Sequence, residues 1–442
     1  MALSGLDIYK LLAKTNCREC GFATCLAFAM SLAKKTVSID KCPYLSEEAK
    51  RILEASSLPP IKLVCVGEGE NKLEIGNDTV MFRHEEKFYH PTGLGFIIED
   101  NLGDSEIQQK LELINKLKFE RVGQLLNVNL VALRQNKDAK RFVEVVKLVI
   151  NNTQLWLVLM SDDLEALKNA LEITKAQKPL IYHATKDNIG SIAQVARQNQ
   201  VPLVVSDADL ETLSSLTQEL NKQGVSDLVL DTGSKPISEK IWDLTQIRRQ
   251  ALKKSNRSLG YPSLVIIDRQ DPFDEAMEAA TYISKYAGIV LMKGIESWQI
   301  LSLLTLRQNI YTDPQKPLQI EPKLYPVGQA GDKSPVLVTT NFSLTYYTVL
   351  GEVEASKVPS YILSVDTEGM SVLTAWAAEK FTPDKITDSI NKFGVKDTVS
   401  HKRLIIPGYV AVMSGDLEEK SGWQVVVGPK EAAGIPSFLK NL

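Results

Sequence analysis

A short apolar strand, a polar turn and an amphipathic helix follow one another eight times in the middle of this chain, and no other pattern limits its fold so sharply. The strands run Gly95 to Glu99, Gln124 to Leu133, Leu155 to Leu159, Pro179 to Tyr182, Val201 to Val205, Asp227 to Leu230, Ser263 to Ile267 and Gly288 to Leu291. They are close to continuous apolar runs, as strands covered by helices on both faces must be. Eight such units in succession are the sequence form of a closed (β/α)8 TIM barrel. Several strands end in groups that would face a ligand at the C-terminal rim: His183, Asp207, Asp231, Asp268 and Lys293. The plainer account, that such residues cap the following helices, serves Asp207, Asp231 and Asp268 at least as well.

Before the barrel, four of the chain's five cysteines crowd into C-x2-C-x4-C-x16-C-P: Cys17, Cys20, Cys25 and Cys42, followed by Pro43. So few cysteines in so long a chain are no secreted disulfide framework; they read as metal ligands. Iron-sulfur clusters take soft thiolates, most closely spaced and one supplied by the returning chain, and Gly21 would let the backbone approach the sulfides. A 4Fe-4S cluster fits best. Zinc is the alternative, although its structural sites usually pair two C-x2-C knuckles and only one is present; buried unligated thiols are the remaining account. A cluster with four protein ligands has no open iron and moves electrons. Cys65, alone on a probable strand, reads as a core residue.

Helical periodicity at Leu6 to Lys14 and Ala23 to Lys34, and a Ser46-capped helix from Glu47 to Ala55, make residues 1–57 a small helical cluster domain. A stiff proline linker at 58–60 separates it from the barrel domain, 61–312, which opens with a β-hairpin lid built from Ile61 to Val66 and Thr79 to Arg83.

Pro314, Pro317, Pro322, Pro326 and Pro335 mark a second boundary, and 313–442 form a third domain. Val336 to Thr339, Tyr361 to Val365, Leu404 to Ile406 and Gln424 to Val427 read as strands, with helices near 343–355, 370–380, 383–393 and 431–440. This is a small open α/β domain of the doubly wound, Rossmann-like type. It carries neither G-x-G-x-x-G nor a Walker A lysine, so the usual dinucleotide and nucleoside triphosphate signatures are missing. Small residues instead crowd its turns: Thr339-Thr340-Asn341, Gly369 to Thr374, Gly408, Ser414-Gly415, Gly428 and Ala432-Ala433-Gly434. Such turns leave backbone N–H groups around a flat space that a planar, amide-edged cofactor would suit. From spacing alone, ordinary glycine-rich loops around an empty crevice explain them better, and Tyr346 and Tyr347 are more often core than cofactor-facing.

The whole chain has 442 residues, 44 % hydrophobic and 24 % charged, with a formal charge of −3. It lacks the basic excess of nucleic-acid binders and any apolar run long enough for a membrane span, so neither nucleic acid nor membrane is expected as a partner and a cytoplasmic location is.

This order of modules resembles the large (gamma) subunit of the corrinoid iron-sulfur protein of the anaerobic acetyl-CoA (Wood-Ljungdahl) pathway of carbon dioxide fixation. The resemblance covers essentially the whole chain, most specifically in the cysteine motif. It implies a cobalamin-type cobalt corrinoid on the C-terminal domain, shared in a heterodimer with a smaller barrel subunit. Its cobalt would take a methyl group from methyltetrahydrofolate through a separate methyltransferase and pass it to carbon monoxide dehydrogenase/acetyl-CoA synthase, making the chain a methyl carrier acting with an enzyme. It also implies cluster ligands at Cys17, Cys20, Cys25 and Cys42, and corrinoid contacts at Thr340, Tyr346, Met370, Ser371, Val372, Leu373 and Ala433, with Thr374 near the cobalt. The cluster would restore cobalt(I) after oxidation to cobalt(II), with a reductive activator as a further partner. None of the four histidines (His84, His90, His183, His401) sits in a D-x-H-x-x-G context, so the corrinoid would be base-off without a histidine ligand. Two other readings stand beside this one. The barrel could bind a pterin through Asn129, Asp207, Asp231 and Asp268, or the chain could be an electron-transfer subunit without corrinoid.

Overall fold

The structure is a computed structural model that describes residues 4–33, 36–50, 53, 59–122 and 124–442. It divides into two compact units: Met1–Lys118 with Asn127–Tyr311, and Phe119–Leu126 with Thr312–Leu442.

In the first unit, helices Gly5–Leu11 and Cys25–Ala33 form the cysteine module, with a 3-10 turn at Ile39–Lys41. Ile8, Leu12, Phe28, Ala29 and Leu53 make its core. Ser4 caps the first helix by accepting from Asp7 N. Ser46 Oγ likewise accepts from Ala49 N at 3.1 Å, and residues 47–50 are helical. Residues 51, 52, 54 and 55 of that third helix, like Leu58 of the expected linker, lie outside the described residues.

The chain then forms β1 (Val64–Val66), antiparallel to β2 (Leu73–Ile75). The expected partner of the first strand was Thr79 to Arg83; the three-residue β2 was hidden by the charges around it, Lys72 and Glu74. This hairpin is a plug rather than a lid at the rim. Val64, Val66, Leu73 and Ile75 join Leu130, Leu180 and Leu264, from the starts of barrel strands, in one apolar cluster, so the plug closes the N-terminal end. Burying each such side chain stabilises the fold by about 1.5–3 kcal/mol.

Eight parallel strands close the barrel: β3 (Gly93–Glu99), then, after the excursion β4 (Lys118–Arg121) and β5 (Gln124–Asn127), β6 (Leu130–Arg134), β7 (Trp156–Met160), β8 (Leu180–Ala184), β9 (Leu203–Ser206), β10 (Leu228–Asp231), β11 (Ser263–Ile266) and β12 (Ala287–Met292). The expected second strand, Gln124 to Leu133, is therefore two elements. Asn127-Val128-Asn129 breaks the run, and pairing with β3 begins only when Asn129 N donates to Leu94 O at 2.9 Å. Of the excursion, residues 119–126 belong to the second unit.

That unit holds a five-stranded sheet in the order β13-β15-β14-β16-β17: β13 (Leu324–Val327), β14 (Val336–Thr340), β15 (Ser360–Val365), β16 (Arg403–Ile406) and β17 (Gln424–Val427). Strand β13 was not expected among so many prolines. It is an antiparallel edge strand, where Pro326 forfeits no essential ladder bond. The other four strands are parallel, and their order reverses between β14 and β16, the switch point of a doubly wound sheet. Helices cover both faces, over one core containing Val338, Leu363 and Phe381 and another containing Leu337, Ile362 and Ile405. Val122, at the tip of the excursion, packs into the second core. The expected helix at 370–380 shortens to Val372–Ala377, and that at 431–440 begins as a 3-10 turn, Ala432–Gly434, before Ile435–Lys440. Among the described residues no helix is long and apolar enough to cross a membrane.

Candidate functional site

All four motif cysteines are free thiols, Cys25 buried and Cys17, Cys20 and Cys42 partly so. Asn16 fastens the third: its Oδ1 accepts from Cys25 N at 2.8 Å, starting the helix, and its own N–H donates to Cys25 Sγ at 3.4 Å. Asn16 sits at φ +50 and Gly21 at φ +84, the left-handed conformation that asparagine and glycine tolerate. Burial pushes the Cys42 thiol up, and Cys20, Cys17 and Cys25 each push it further, while Tyr44 N–H pulls it down. Cys25, Cys20 and Cys42 share one small apolar core. Among the described residues no group of three or more His, Cys, Asp or Glu side chains is placed to hold a metal ion. What the module offers is four thiols on one short helical unit, one already accepting an N–H bond, a donor set whose chemistry suits an iron-sulfur cluster.

At the switch point of the open sheet lies a cavity of about 330 Å³. Its floor is Leu337, Val338 and Thr339 from β14 with Ile405, Ile406 and Pro407 at the end of β16. Leu344, Thr345, Thr348 and Val349, one face of helix Ser343–Ser356, form a wall, and Ser371, Val372 and Leu373 form another. Gly428 to Ala432, Tyr409 and Ile435 complete it. Thr339 is 1 % exposed and its Oγ1 has no hydrogen-bond partner among the described residues. A Cβ at Gly428 would approach Ile405 Cγ2 to 3.0 Å and Ile406 O to 3.1 Å, so only glycine leaves this lining free. An orphaned hydroxyl and a backbone-walled slot fit a ligand that accepts or donates hydrogen bonds along an apolar body.

Three of the eight expected cofactor residues, Ser371, Val372 and Leu373, line this cavity. Thr374 is exposed beside them, its Oγ1 3.0 Å from Ser371 Oγ. Met370 packs instead on the core containing Phe381, and Ala433 is exposed next to the lining Ala432. Thr340 is wholly buried with an unpartnered Oγ1 and is not part of the wall. Tyr346 is a core residue: 5 % exposed, its ring 4.9 Å from that of Tyr325, its hydroxyl pushed up by burial and by the neighbouring Tyr325 and Tyr347. The helix face at 344–349 and Pro429, Lys430 and Glu431 were the missed contributors, the latter three between Gly428 and Ala432, which the small-residue turns had marked. The spacing of Thr345, Thr348 and Val349, which places two hydroxyls on one otherwise apolar stripe, was the available signal.

The barrel rim is occupied by its own groups. Asp231, 3 % exposed, accepts from the Tyr182 hydroxyl at 2.8 Å and from Ser206 at 3.3 Å, and pairs with buried Lys240 at 3.3 Å. Lys293 lies 3.6 Å from Glu99 and 3.1 Å from Asp268; Asp207 lies 3.8 Å from Lys186. The rim aspartates are not the helix caps; Asp163, Asp209 and Asp271 are caps, three, three and five residues beyond their strand ends. Asn129 stands at the opposite end of the barrel from Asp231, before β6, where its Oδ1 accepts from Leu94 N and Arg307. The four side chains expected for a pterin do not converge.

The chain thus combines a cysteine-rich helical module, a closed parallel barrel and a doubly wound sheet with a cavity at its switch point. The family described as CO dehydrogenase/acetyl-CoA synthase delta subunit matches residues 63–439, and that described as a putative Fe-S cluster matches residues 12–44. The corrinoid/iron-sulfur protein large subunit of Moorella thermoacetica is 46 % identical over 441 residues, covering 100 % of this chain and 99 % of its own. The acetyl-CoA decarbonylase/synthase complex subunit gamma of Methanothermobacter thermautotrophicus is 38 % identical over 456 residues, with coverage of 100 % and 99 %. The chain belongs to this family of corrinoid/iron-sulfur protein large subunits and decarbonylase/synthase gamma subunits.

Proposed function

We propose that this chain is a methyl-carrying subunit that holds a 4Fe-4S cluster on Cys17, Cys20, Cys25 and Cys42 and a cobalt corrinoid at the switch-point cavity. A corrinoid there supplies the metal that accepts and gives up the methyl group, and the cluster supplies the electron that restores its reduced state. The observation that carries the reading is the cavity itself: a preformed apolar slot with orphaned Thr339, in a chain whose full length matches relatives named for a corrinoid and an iron-sulfur centre. Ser371, Val372, Leu373, Thr345 and Thr348 would orient the cofactor, with Thr374 at the rim of the wall. None of the cavity's lining residues is a histidine, in keeping with base-off binding. A small heterodimer partner, a methyltetrahydrofolate methyltransferase, carbon monoxide dehydrogenase/acetyl-CoA synthase and a reductive activator are the partners this role requires. No observation favours the pterin-barrel reading, because Asn129 and Asp231 lie at opposite ends of the barrel.

Metal analysis tests the proposal: the chain, purified with its co-expressed small subunit without oxygen, should contain about four irons and one cobalt. Its cobalt(II) paramagnetic resonance should lack nitrogen hyperfine splitting. Iron without cobalt would leave an electron-transfer subunit; zinc in place of iron would remove the cluster.

A further inference from the structure

Asn341 is 1 % exposed, directly follows β14 and is not part of the cavity wall. Its carboxamide is nonetheless the centre about which one wall is wound. Oδ1 accepts from Thr367 N, Thr367 Oγ1 and Gly369 N, each at 3.0 Å. Nδ2 donates to Gln319 Oε1 at 2.9 Å and to Asp366 Oδ1 at 3.3 Å. Three donors on one atom and two acceptors on the other fix which end is oxygen.

The turn held in this way is costly to form alone. Glu368 sits at φ +56 and Gly369 at φ +75, and a Cβ at Gly369 would lie 3.0 Å from Pro317 O. Two successive left-handed residues need outside bonds to persist. Asn341 supplies them, and the single proton of Thr367 Oγ1 is shared between Asn341 Oδ1 and Met370 O, 3.1 Å away. The next three residues, Ser371, Val372 and Leu373, form the cavity wall. The same carboxamide grips Gln319, whose neighbour Ile320 donates to Asn341 O at 2.9 Å. The segment by which the chain joins this unit and the turn that lines the cavity thus share one side chain.

We propose that Asn341 is the positioning residue of the corrinoid site: touching no cofactor, it sets the 366–370 turn so that residues 371–373 meet the corrinoid. This rests on the corrinoid reading above. The test uses the full chain with its small subunit, stripped of corrinoid and titrated with cobalamin, with iron content and the unfolding midpoint of the corrinoid-free protein measured alongside. Asn341→Ala should weaken cobalamin retention by about tenfold or more and alter the bound cofactor's visible spectrum, with iron unchanged. Asn341→Asp keeps the accepting oxygen but sets a second carboxylate against Asp366, and should weaken retention as well. Thr367→Val, which removes only the hydroxyl shared between Asn341 and Met370, should lose about threefold and serves as the test if Asn341→Ala does not fold. Wild-type affinity and spectrum in Asn341→Ala, or in Thr367→Val where that variant serves, would overturn the role, as would losses that follow only the unfolding midpoint. Wild-type protein that takes up no cobalamin would instead overturn the corrinoid reading, and this role with it.

Discussion

The barrel and the C-terminal sheet each end their parallel strands at a place where such folds ordinarily hold ligands, and they use that place in opposite ways. At the barrel's rim, charged groups pair with one another: Asp231 takes Tyr182, Ser206 and Lys240, and Lys293 is divided between Glu99 and Asp268, while His183 Nδ1 and Thr232 Oγ1 stay without a partner among the described residues. At the C-terminal switch point a hydroxyl stays unpartnered and the walls stand apart around about 330 Å³. A strand-end position is thus only an opportunity. Unpartnered buried groups occur at both places; what sets the crevice apart is the ion pairing missing from its lining and the space between its walls, which make it the candidate site.

The sharpest way to break that contrast is Asp231→Asn. Lys240, with 5 % of its side chain exposed, would lose its carboxylate partner, and stranding a buried charge costs about 3–5 kcal/mol. Urea unfolding of the barrel should show a loss of that size, with cobalamin uptake by the folded fraction unchanged. A loss below about 1 kcal/mol would mean that the rim is not spent on its own stability.

A smaller effect should come from His183 at the same rim. Burial pushes its imidazole below the usual 6.5, against weaker opposing pulls from Asp162 and Asp231. The unfolded chain therefore binds a proton near pH 6.5 that the folded chain refuses, and stability contributed by the neutral ring is lost as pH falls through 6.5 toward the folded value. The slope is at most about 1.4 kcal/mol per pH unit. Unfolding midpoints between pH 7.5 and about 5 should fall less steeply in His183→Gln than in wild type. Equal slopes would show that the rim leaves room for the charged ring.

The same contrast explains what could be read from residues alone. Seven barrel strands were legible because strands buried on both faces are continuous apolar runs. The second was overrun because Gln124 to Leu133 gives no sign of where the excursion ends and the ladder begins, a matter settled by Asn129 pairing with a residue far away in sequence. Cysteines announce themselves by type, whereas a cavity wall does not. Ser371 to Leu373, marked by a turn of small residues, line the cavity, whereas Tyr346, a contact only by resemblance and a core residue by type, lies in the core beside Tyr325. Its neighbours Thr345 and Thr348, which do line the cavity, look on paper like any other helix face. Asn341 is legible only in three dimensions, since its bonds reach residues about 25 positions away on either side.

The finest test separates two adjacent threonines. Thr339 and Thr340 are both buried with unpartnered hydroxyls, but only Thr339 faces the cavity. An unsatisfied buried hydroxyl costs free energy that an isosteric methyl does not. Thr339→Val and Thr340→Val should therefore each leave the corrinoid-free protein as stable as wild type, or more stable by up to about 1 kcal/mol. Cobalamin should tell them apart. Thr339→Val removes a hydrogen bond made only to the ligand, worth about 0.5–1.5 kcal/mol, and should weaken retention by about twofold to tenfold; Thr340→Val should leave it unchanged. If both weaken binding equally, the cofactor reaches past the wall and Thr340 regains its expected role as a contact. If neither does, the orphaned hydroxyl on the cavity floor is a packing compromise, and the crevice differs from the barrel rim in its space alone.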